Sequence, residues 1–323
     1  MILRTWLTDR FGLRVPVVGA PMAGVGAGRL AAAVSEAGAL GLIGVSATTT
    51  GEWIEKEATA AGCGPYGIGL MAWALPHNPA QLDVVLELRP AMVSVSFGPY
   101  ERYVEELRQA GITVVTQAGT TDEARAAEQA GVDAVVARGA EAGGHGRDAV
   151  GTLPLLQSVL DAVRIPVLAA GGIATARGLA AVLAAGAAGA WVGTAFMGCV
   201  ETSLSAAAGD QVLAAEETGT AYGRVFDVAQ RLGWPPEYGG RALRNAFFDR
   251  WVGREDELAA DDSAQAQLEV ARREEDFDTA YIYAGQAVGM VRERRTAADV
   301  VAGFAAAEQL LTRFGAPAPD GPH

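Results

Sequence analysis

Cysteine, histidine and lysine, which carry much of enzyme chemistry, are nearly absent from this 323-residue chain. It holds two cysteines, three histidines and a single lysine. Cys63 and Cys199 are too few for a disulfide framework and lack the spacing of a metal site, so we expect a protein of a reducing compartment without a structural metal. Lys56 lies between two glutamates in a predicted exposed helix, which disfavours a Schiff-base mechanism because such an amine is activated by burial.

The chain also lacks a long apolar run. Every window as long as a membrane span is broken by charge or by glycine, and the first ten residues have no apolar signal core. The net charge is −13, and residues 249–278 hold eleven acidic residues against four arginines. Such a surface repels phosphate backbones, which excludes nucleic acid as a partner. We therefore expect a cytoplasmic protein without a membrane partner, with a homo-oligomeric state left open.

Short apolar runs alternate with helical segments along the first 200 residues. The repeat is about twenty to twenty-five residues long, strand and then helix, which is the period of βαβ units. Eight such strands favour a closed (β/α)₈ barrel, a TIM barrel, over an open sheet. The predicted strands cover residues 15–19, 40–44, 66–71, 92–96, 113–116, 134–137, 167–170 and 190–192. The predicted helices between them cover residues 27–37, 51–61, 79–87, 100–110, 121–130, 152–162 and 175–185.

This rhythm stops after residue 200. Residues 201–280 are more charged, contain the turn-rich segment Trp234-Pro-Pro-Glu-Tyr-Gly-Gly240 and show no strand period, which predicts a mainly helical insertion over the barrel mouth. An apolar stripe over residues 297–314 predicts the eighth helix of the barrel. The predicted barrel therefore comprises residues 1–200 and 281–314. A disordered tail is predicted at residues 315–323.

A glycine-rich loop with one histidine follows the sixth predicted strand, Arg138-Gly-Ala-Glu-Ala-Gly-Gly-His-Gly-Arg147. Barrels of this kind keep their chemistry at the carboxyl ends of the strands, and His145 is the nearby side chain that can exchange a proton at neutral pH. His77 lies in a proline-bounded loop and His323 is the last residue. We therefore predict that His145 is catalytic. A purely supporting role is disfavoured, because a histidine between glycines should have few packing partners.

Two later strands also end in glycine, at Gly171-Gly172 and at Gly193-Thr194. In such barrels the loops after strands seven and eight commonly form a phosphate site. The backbone N–H groups of Gly171, Gly172, Gly193 and Thr194 would bind the anion, and the Thr194 hydroxyl would be a further donor. The alternative is that these glycines only relieve crowding at the barrel rim.

Contacts to a flat ring are available at the ends of the first and fifth strands. Small residues around Met22 and Ala23 suit a backbone that lies along an aromatic ring, although a methionine there also suits plain core packing. Gln117 can donate to a ring carbonyl or remain a surface amide. Metal-dependent barrels need clustered ligands, and only Glu141 and His145 qualify, so we predict no metal. A phosphate-bearing flat cofactor beside one acid/base histidine describes a flavin mononucleotide (FMN) enzyme.

Together these segments resemble the nitronate monooxygenase family, formerly called 2-nitropropane dioxygenases. The resemblance implies FMN-dependent oxidation of alkyl nitronates or nitroalkanes by O₂ to a carbonyl compound and nitrite, without reduced nicotinamide. It is carried by Ala20-Pro-Met-Ala-Gly24, by the stretch from Gly131 to His145, by Ala170-Gly-Gly-Ile173 with Gly193-Thr194, and by Tyr283-Ala-Gly-Gln-Ala-Val-Gly289. It also implies that His145 faces the flavin and that FMN contacts Met22, Ala23, Gln117, Gly144, Gly172, Gly193 and Thr194.

Two positions depart from the family pattern. Arg138 stands where the family often has glutamine, and Gly69 stands where it often has asparagine, which removes a donor to the flavin or the substrate. Flavin-dependent NAD(P)H:quinone reductases and enoyl-acyl-carrier reductases share this barrel and a similar loop, and they are the alternative function. A non-catalytic flavin-binding protein is a weaker alternative, because a binding protein needs no titrating group such as His145 at the mouth.

Overall fold

Eight parallel strands close into a barrel in the computed structural model, which describes residues 3–313. The strands of the chain are β1 (Val17–Gly19), β2 (Leu40–Gly44), β3 (Tyr66–Met71), β4 (Met92–Ser96), β5 (Thr113–Ala118), β6 (Ala134–Arg138), β7 (Gly144–Gly146), β8 (Val167–Ala170), β9 (Gly189–Val192), β10 (Thr220–Gly223) and β11 (Gly239–Leu243). Strands β1 to β6, β8 and β9 are neighbours in that order, and β9 pairs back onto β1. The prediction of a (β/α)₈ barrel is therefore confirmed.

The barrel strands are buried, which is why they appear in the sequence as short uninterrupted apolar runs. All five residues of β2 and of β4 are buried. The interior is filled by a cluster that includes Val18, Leu40, Met92, Val136 and Trp191. A second and larger cluster lies between the strands and the surrounding helices.

Helices surround this barrel and cover the rest of the chain. They are α1 (Trp6–Phe11), α2 (Gly28–Glu36), α3 (Gly51–Ala61), α4 (Ala80–Leu88), α5 (Glu101–Gln109), α6 (Thr121–Gln129), α7 (Thr152–Ala162), α8 (Ala176–Ala184), α9 (Ala206–Ala214), α10 (Val225–Ala229), α11 (Ala246–Trp251), α12 (Glu255–Ala259), α13 (Asp262–Glu274), α14 (Ala297–Ala305) and α15 (Ala307–Thr312). Short 3₁₀-helices span Thr194–Gly198 and Gln286–Met290. The helix predicted over residues 297–314 is thus two helices, and both pack against α8. Residue 314 and the tail predicted at residues 315–323 lie outside the described residues.

Helix α1 was not predicted from the sequence. It begins at a reciprocal cap in which Thr5 and Thr8 each accept the other's backbone N–H through their side chains. Its residue Leu7 is fully buried and belongs to the interior cluster of the barrel. Because a Cβ on Gly189 would lie 2.7 Å from the Leu7 side chain, α1 packs directly against the beginning of β9, at the end opposite to the strand termini that carry the site.

Residues 201–280, which we call the insertion segment, contain five of these helices and also two strands, β10 and β11. The strands were not predicted, because they are short and rich in glycine and show no apolar alternation. β11 pairs antiparallel with β10 on one side and with β7 of the glycine-rich loop on the other. The insertion segment has its own aromatic core, which includes Phe226, Phe247, Phe248 and Trp251. It is therefore joined to the barrel through the loop that carries His145.

Candidate active site

A cavity of about 1130 Å³ opens at the carboxyl ends of the barrel strands. Its walls come from the loops that follow the strands and from the insertion segment, which contributes residues of α10 and α13. The structure brings together at this cavity all nine residues that the sequence analysis singled out: Met22, Ala23, Gln117, Gly144, His145, Gly171, Gly172, Gly193 and Thr194.

The loops after β8 and β9 leave backbone donors at the wall of this cavity. Gly171 and Gly172 have φ angles of 110° and 70°, in the region that favours glycine. Gly193 precedes the 3₁₀-helix Thr194–Gly198. Among residues 3–313, no backbone carbonyl accepts the N–H groups of Gly171, Gly172, Gly193 or Thr194. These four donors are therefore available to an anion.

Open space lies beside Gly172, one of these donors, and beside Gly144 of the glycine-rich loop. A Cβ on Gly172 would meet nothing nearer than Glu141 at 3.9 Å, and one on Gly144 would meet nothing within 4 Å. The Thr194 hydroxyl accepts the N–H of Gly285 at 2.9 Å, which leaves its own proton for a ligand. A ligand can thus approach the backbone where side chains are missing.

Two other predicted contacts have clear surroundings. The backbone N–H of Gln117 donates to Ser96 at 3.1 Å, and in the described part of the chain its side-chain amide has no protein partner. Gly69 is required by its neighbour on the first loop, since a Cβ there would collide with the ring of Pro21. The asparagine common in the family therefore does not fit at position 69 of this backbone.

His145 lies in β7, which the insertion segment holds in place. In the pairing of β7 with β11, Gly240 is opposite His145. The imidazole stacks on the indole of Trp234, with ring centroids 3.6 Å apart and planes 4° from parallel. A Cβ on Gly240 would lie 2.5 Å from the Tyr283 ring and 3.3 Å from His145 Nε2, so glycine is required beside the imidazole.

A buried carboxylate contacts the imidazole. Asp227 of α10 places Oδ1 2.7 Å from His145 Nε2, and the two side chains are 2% and 10% exposed. The Tyr283 hydroxyl donates to the same oxygen at 3.1 Å. Burial raises the pKa of Tyr283 well above its ordinary value, so this hydroxyl stays protonated as a donor. Within residues 3–313, Asp227 Oδ2 has no hydrogen-bond partner.

The expectation that His145 has few packing partners is wrong. Its stacking and hydrogen-bonding partners, Trp234 and Asp227, both come from the insertion segment, which the sequence analysis did not connect to the loop. Asp227 is 82 residues away in the chain and is one of 38 acidic residues, so nothing in the sequence marked it. The sequence around Trp234 predicts turns and does not indicate a contact with His145.

Arg138 determines the shape of the glycine-rich loop. Its guanidinium is buried, and one nitrogen donates to the carbonyls of Ala142, Gly143 and Gly144 at 3.1, 3.1 and 2.8 Å. Burial lowers the pKa of Arg138 to about 10. A glutamine has two amide donors where arginine has five, so the family's usual residue could not bind the loop in this way.

Glu141, the carboxylate considered above as a metal ligand, is also engaged in structure. It accepts the backbone N–H and the hydroxyl of Thr152, both through Oε2, at 2.8 and 2.7 Å. These bonds tie the loop to the beginning of α7. Among residues 3–313 there is no group of three or more histidine, cysteine and acidic side chains placed to hold a metal ion.

The family model for nitronate monooxygenase matches residues 4–77 and 70–306 of this chain. The chain belongs to the nitronate monooxygenase family. The nitronate monooxygenase of Paraburkholderia phytofirmans is 33% identical over 92% of this chain and 93% of that relative. The resemblance recognised in the sequence is thereby confirmed, and this member of the nitronate monooxygenase family is a flavin-dependent oxidoreductase.

Solved structures of similar proteins show the same barrel. FabK from Thermotoga maritima superposes with a TM-score of 0.84 at 29% identity and covers 97% of this chain and 99% of its own. The nitroalkane oxidase from Streptomyces ansochromogenes superposes with a TM-score of 0.80 at 31% identity, covering 96% and 99%. In the described part of this family member, no helix is long and apolar enough to cross a membrane.

Proposed function

We propose that this chain binds FMN at the barrel mouth and oxidises alkyl nitronates, or nitroalkanes after proton removal, with O₂ to a carbonyl compound and nitrite. The observation that carries the proposal is the position of His145, a proton-exchanging side chain that lines the same cavity as the glycines after β8 and β9. The names of two relatives, a nitronate monooxygenase and a nitroalkane oxidase, support it.

The residues that would hold FMN divide into two groups. The phosphate would be bound by the N–H groups of Gly171, Gly172, Gly193 and Thr194, because no backbone carbonyl among residues 3–313 accepts them. Met22, Ala23, Gly144 and the Gln117 amide would contact the ring system. When bound, the flavin supplies the acceptor for the substrate's electrons and passes them on to O₂.

The protein side chains supply the proton chemistry and the dry surroundings. Neutral His145 takes the α-proton of a nitroalkane, and the C–H electron pair stays on the substrate as the nitronate. Aromatic side chains close the wall next to it, since Trp234 packs against Trp73 and Phe97 with ring centroids 5.2 and 5.3 Å apart. Excluding water from this wall strengthens the electrostatic contacts of an anionic substrate.

The proposal is tested first by the cofactor and its reductant. We expect the purified protein to be yellow, to release FMN on denaturation, and to bleach anaerobically with a nitronate but not with NADH or NADPH. Release of FAD, or bleaching by a reduced nicotinamide alone, would contradict it.

A reductase of quinones or enoyl thioesters is the second candidate function, and the size of the cavity favours it. The volume of about 1130 Å³ exceeds the range of about 300–1,000 Å³ that is usual for small-ligand pockets, as a site that holds both a flavin and a bulky substrate requires. Bleaching by NADH or NADPH, followed by reoxidation with a quinone or an enoyl thioester, is the result that this candidate requires.

The role of His145 is tested by comparing two substrates. In His145→Ala we expect turnover of a neutral nitroalkane to fall roughly 10²–10⁴-fold, the usual contribution of one acid/base group. The loss with preformed nitronate should be much smaller, because that substrate arrives deprotonated. His77→Ala is the matched control, since His77 is exposed and does not line the cavity. Equal losses with both substrates at matched pH would refute the base assignment.

A further inference from the structure

The contact between His145 and Asp227 determines which nitrogen of the imidazole carries a proton. An ionised carboxylate only accepts hydrogen bonds, so at 2.7 Å from Asp227 Oδ1 the Nε2 atom must be the donor. In the described part of the chain, Nδ1 of the same ring has no protein partner. We propose that Asp227 is a positioning residue that holds neutral His145 in the tautomer protonated at Nε2, so that Nδ1 is the basic atom offered to a substrate.

The surroundings of the pair keep this arrangement in place. A rotation of the imidazole about its Cβ–Cγ bond would tilt the ring out of its nearly parallel stack on Trp234 and lose this ring contact. The Tyr283 hydroxyl donates to the same Oδ1 atom, which fixes the position of the carboxylate beside the imidazole. In the part of the chain that the structure describes, Oδ2 is buried without a partner, so the hydrogen bonds of this carboxylate come from His145 and Tyr283.

The other ionisable groups around the loop are occupied elsewhere. Arg138 of β6 donates to loop carbonyls, and Arg241 of β11 pairs with Asp148 at 2.8 Å. The Tyr222 hydroxyl of β10 donates to the carbonyl of Gly146 at 2.9 Å. Among residues 3–313, Asp227 is therefore the carboxylate in contact with the imidazole. When His145 carries protons on both nitrogens, Asp227 is the negative group beside it.

This role rests on the proposed function only for its kinetic consequence. When Nδ1 takes the α-proton, the imidazole carries protons on both nitrogens and becomes a cation. The carboxylate of Asp227 then stabilises that cation without taking its proton, as the aspartate does in serine-protease triads. Since Asp227 comes from α10, the insertion segment would complete the catalytic group that the barrel begins.

The tautomer can be measured without any substrate. The chain has only three histidines, so ¹⁵N-histidine labelling of the flavin-loaded protein gives few signals, and His77→Asn and His145→Asn variants assign them. We expect neutral wild-type His145 to show the ¹⁵N shifts of the Nε2-protonated tautomer, and Asp227→Asn to move it toward the Nδ1-protonated form, because an amide N–H can donate to Nε2. An Nδ1-protonated wild-type ring, or a tautomer unchanged in the variant, would overturn the proposal.

Kinetics provide the second arm. Asp227→Asn should lower nitroalkane turnover by roughly 10²–10⁴-fold, with a much smaller loss for preformed nitronate. Asp249→Asn is the matched control, since this exposed aspartate of the same segment pairs with Arg244 outside the cavity. Equal losses with nitroalkane and nitronate would mean that Asp227 only supports the fold. If nitro compounds are not substrates, the proposed function fails while the tautomer still decides the role of Asp227.

Discussion

A carboxylate introduced at Gly193 would stand directly at the predicted phosphate site. The backbone accepts the change, since φ at Gly193 is −105°, where any L residue is allowed. A Cβ there would lie 3.4 Å from Met22 Sδ and 3.6 Å from Ala20 Cβ, which is ordinary van der Waals contact. Gly193→Asp should therefore fold, and its effect on cofactor binding should come from charge rather than from a collapsed loop.

The size of the effect follows from the charge separation. Two unit charges about 4 Å apart repel by about 4 kcal/mol at an effective dielectric constant of about 20. A repulsion of that size raises the dissociation constant of FMN about 10³-fold, and screening by salt reduces this toward 10². Gly193→Asn adds a side chain of the same shape without charge and should weaken FMN about tenfold or less, as one displaced hydrogen bond does.

The assay is a fluorescence titration of apo-protein with FMN and, in parallel, with riboflavin, which has the same ring and no phosphate. We expect Gly193→Asp to weaken the binding of FMN far more than the binding of riboflavin. Gly193→Asn should change the affinity for the two ligands by the same factor. Wild-type FMN affinity in the aspartate variant would place the phosphate elsewhere. Equal weakening of FMN and riboflavin would show that the side chain acts by its bulk.

Two further predictions concern stability. Arg138→Gln should lower the free energy of unfolding by about 1–3 kcal/mol in urea titrations and slow turnover, because three loop carbonyls lose a charged donor. An unchanged free energy of unfolding and an unchanged turnover rate would contradict this. Burial raises the pKa of Cys199 to about 12 from 9.0, so the unfolded chain loses this proton first and stability falls as pH rises through that window. Between about pH 9 and 10.5 the thiol accounts for about 1.6 kcal/mol of that loss, and Cys199→Ala should lack this slope.

The barrel could be predicted from the sequence because its signals are local. A strand buried on both faces needs an uninterrupted apolar run, and the helix that follows ends near a glycine, as at Gly111 and Gly131, both of which have positive φ. The glycines after β8 and β9 predicted a place where the backbone lines the cavity, and the structure places them there. Predicted strand ends differ from the observed ones by a few residues, for example at Val15 and Pro16, which precede β1.

The insertion segment could not be predicted in the same way. β10 pairs with β11, and β11 pairs with β7. These strands are stabilised by that pairing rather than by an apolar face of their own, so no alternation appears in their residues. From the sequence, Gly69 was expected to remove an amide donor of the family. The structure shows that the ring of Pro21 leaves no room for a side chain at this position. Both facts depend on neighbours that are distant in the chain.

By itself the sequence determined the barrel and the glycines at its mouth, and it made His145 the candidate base, because periodicity, strand-end glycines and the scarcity of histidine are properties of the chain alone. Only the tertiary structure decided what surrounds that histidine. A ring stack on Trp234 and a carboxylate from Asp227 come from a segment that folds back over the loop, 82 residues away in the case of Asp227. Which of many similar acidic residues reaches an imidazole is set by packing over the whole fold, and packing leaves no local mark in a sequence.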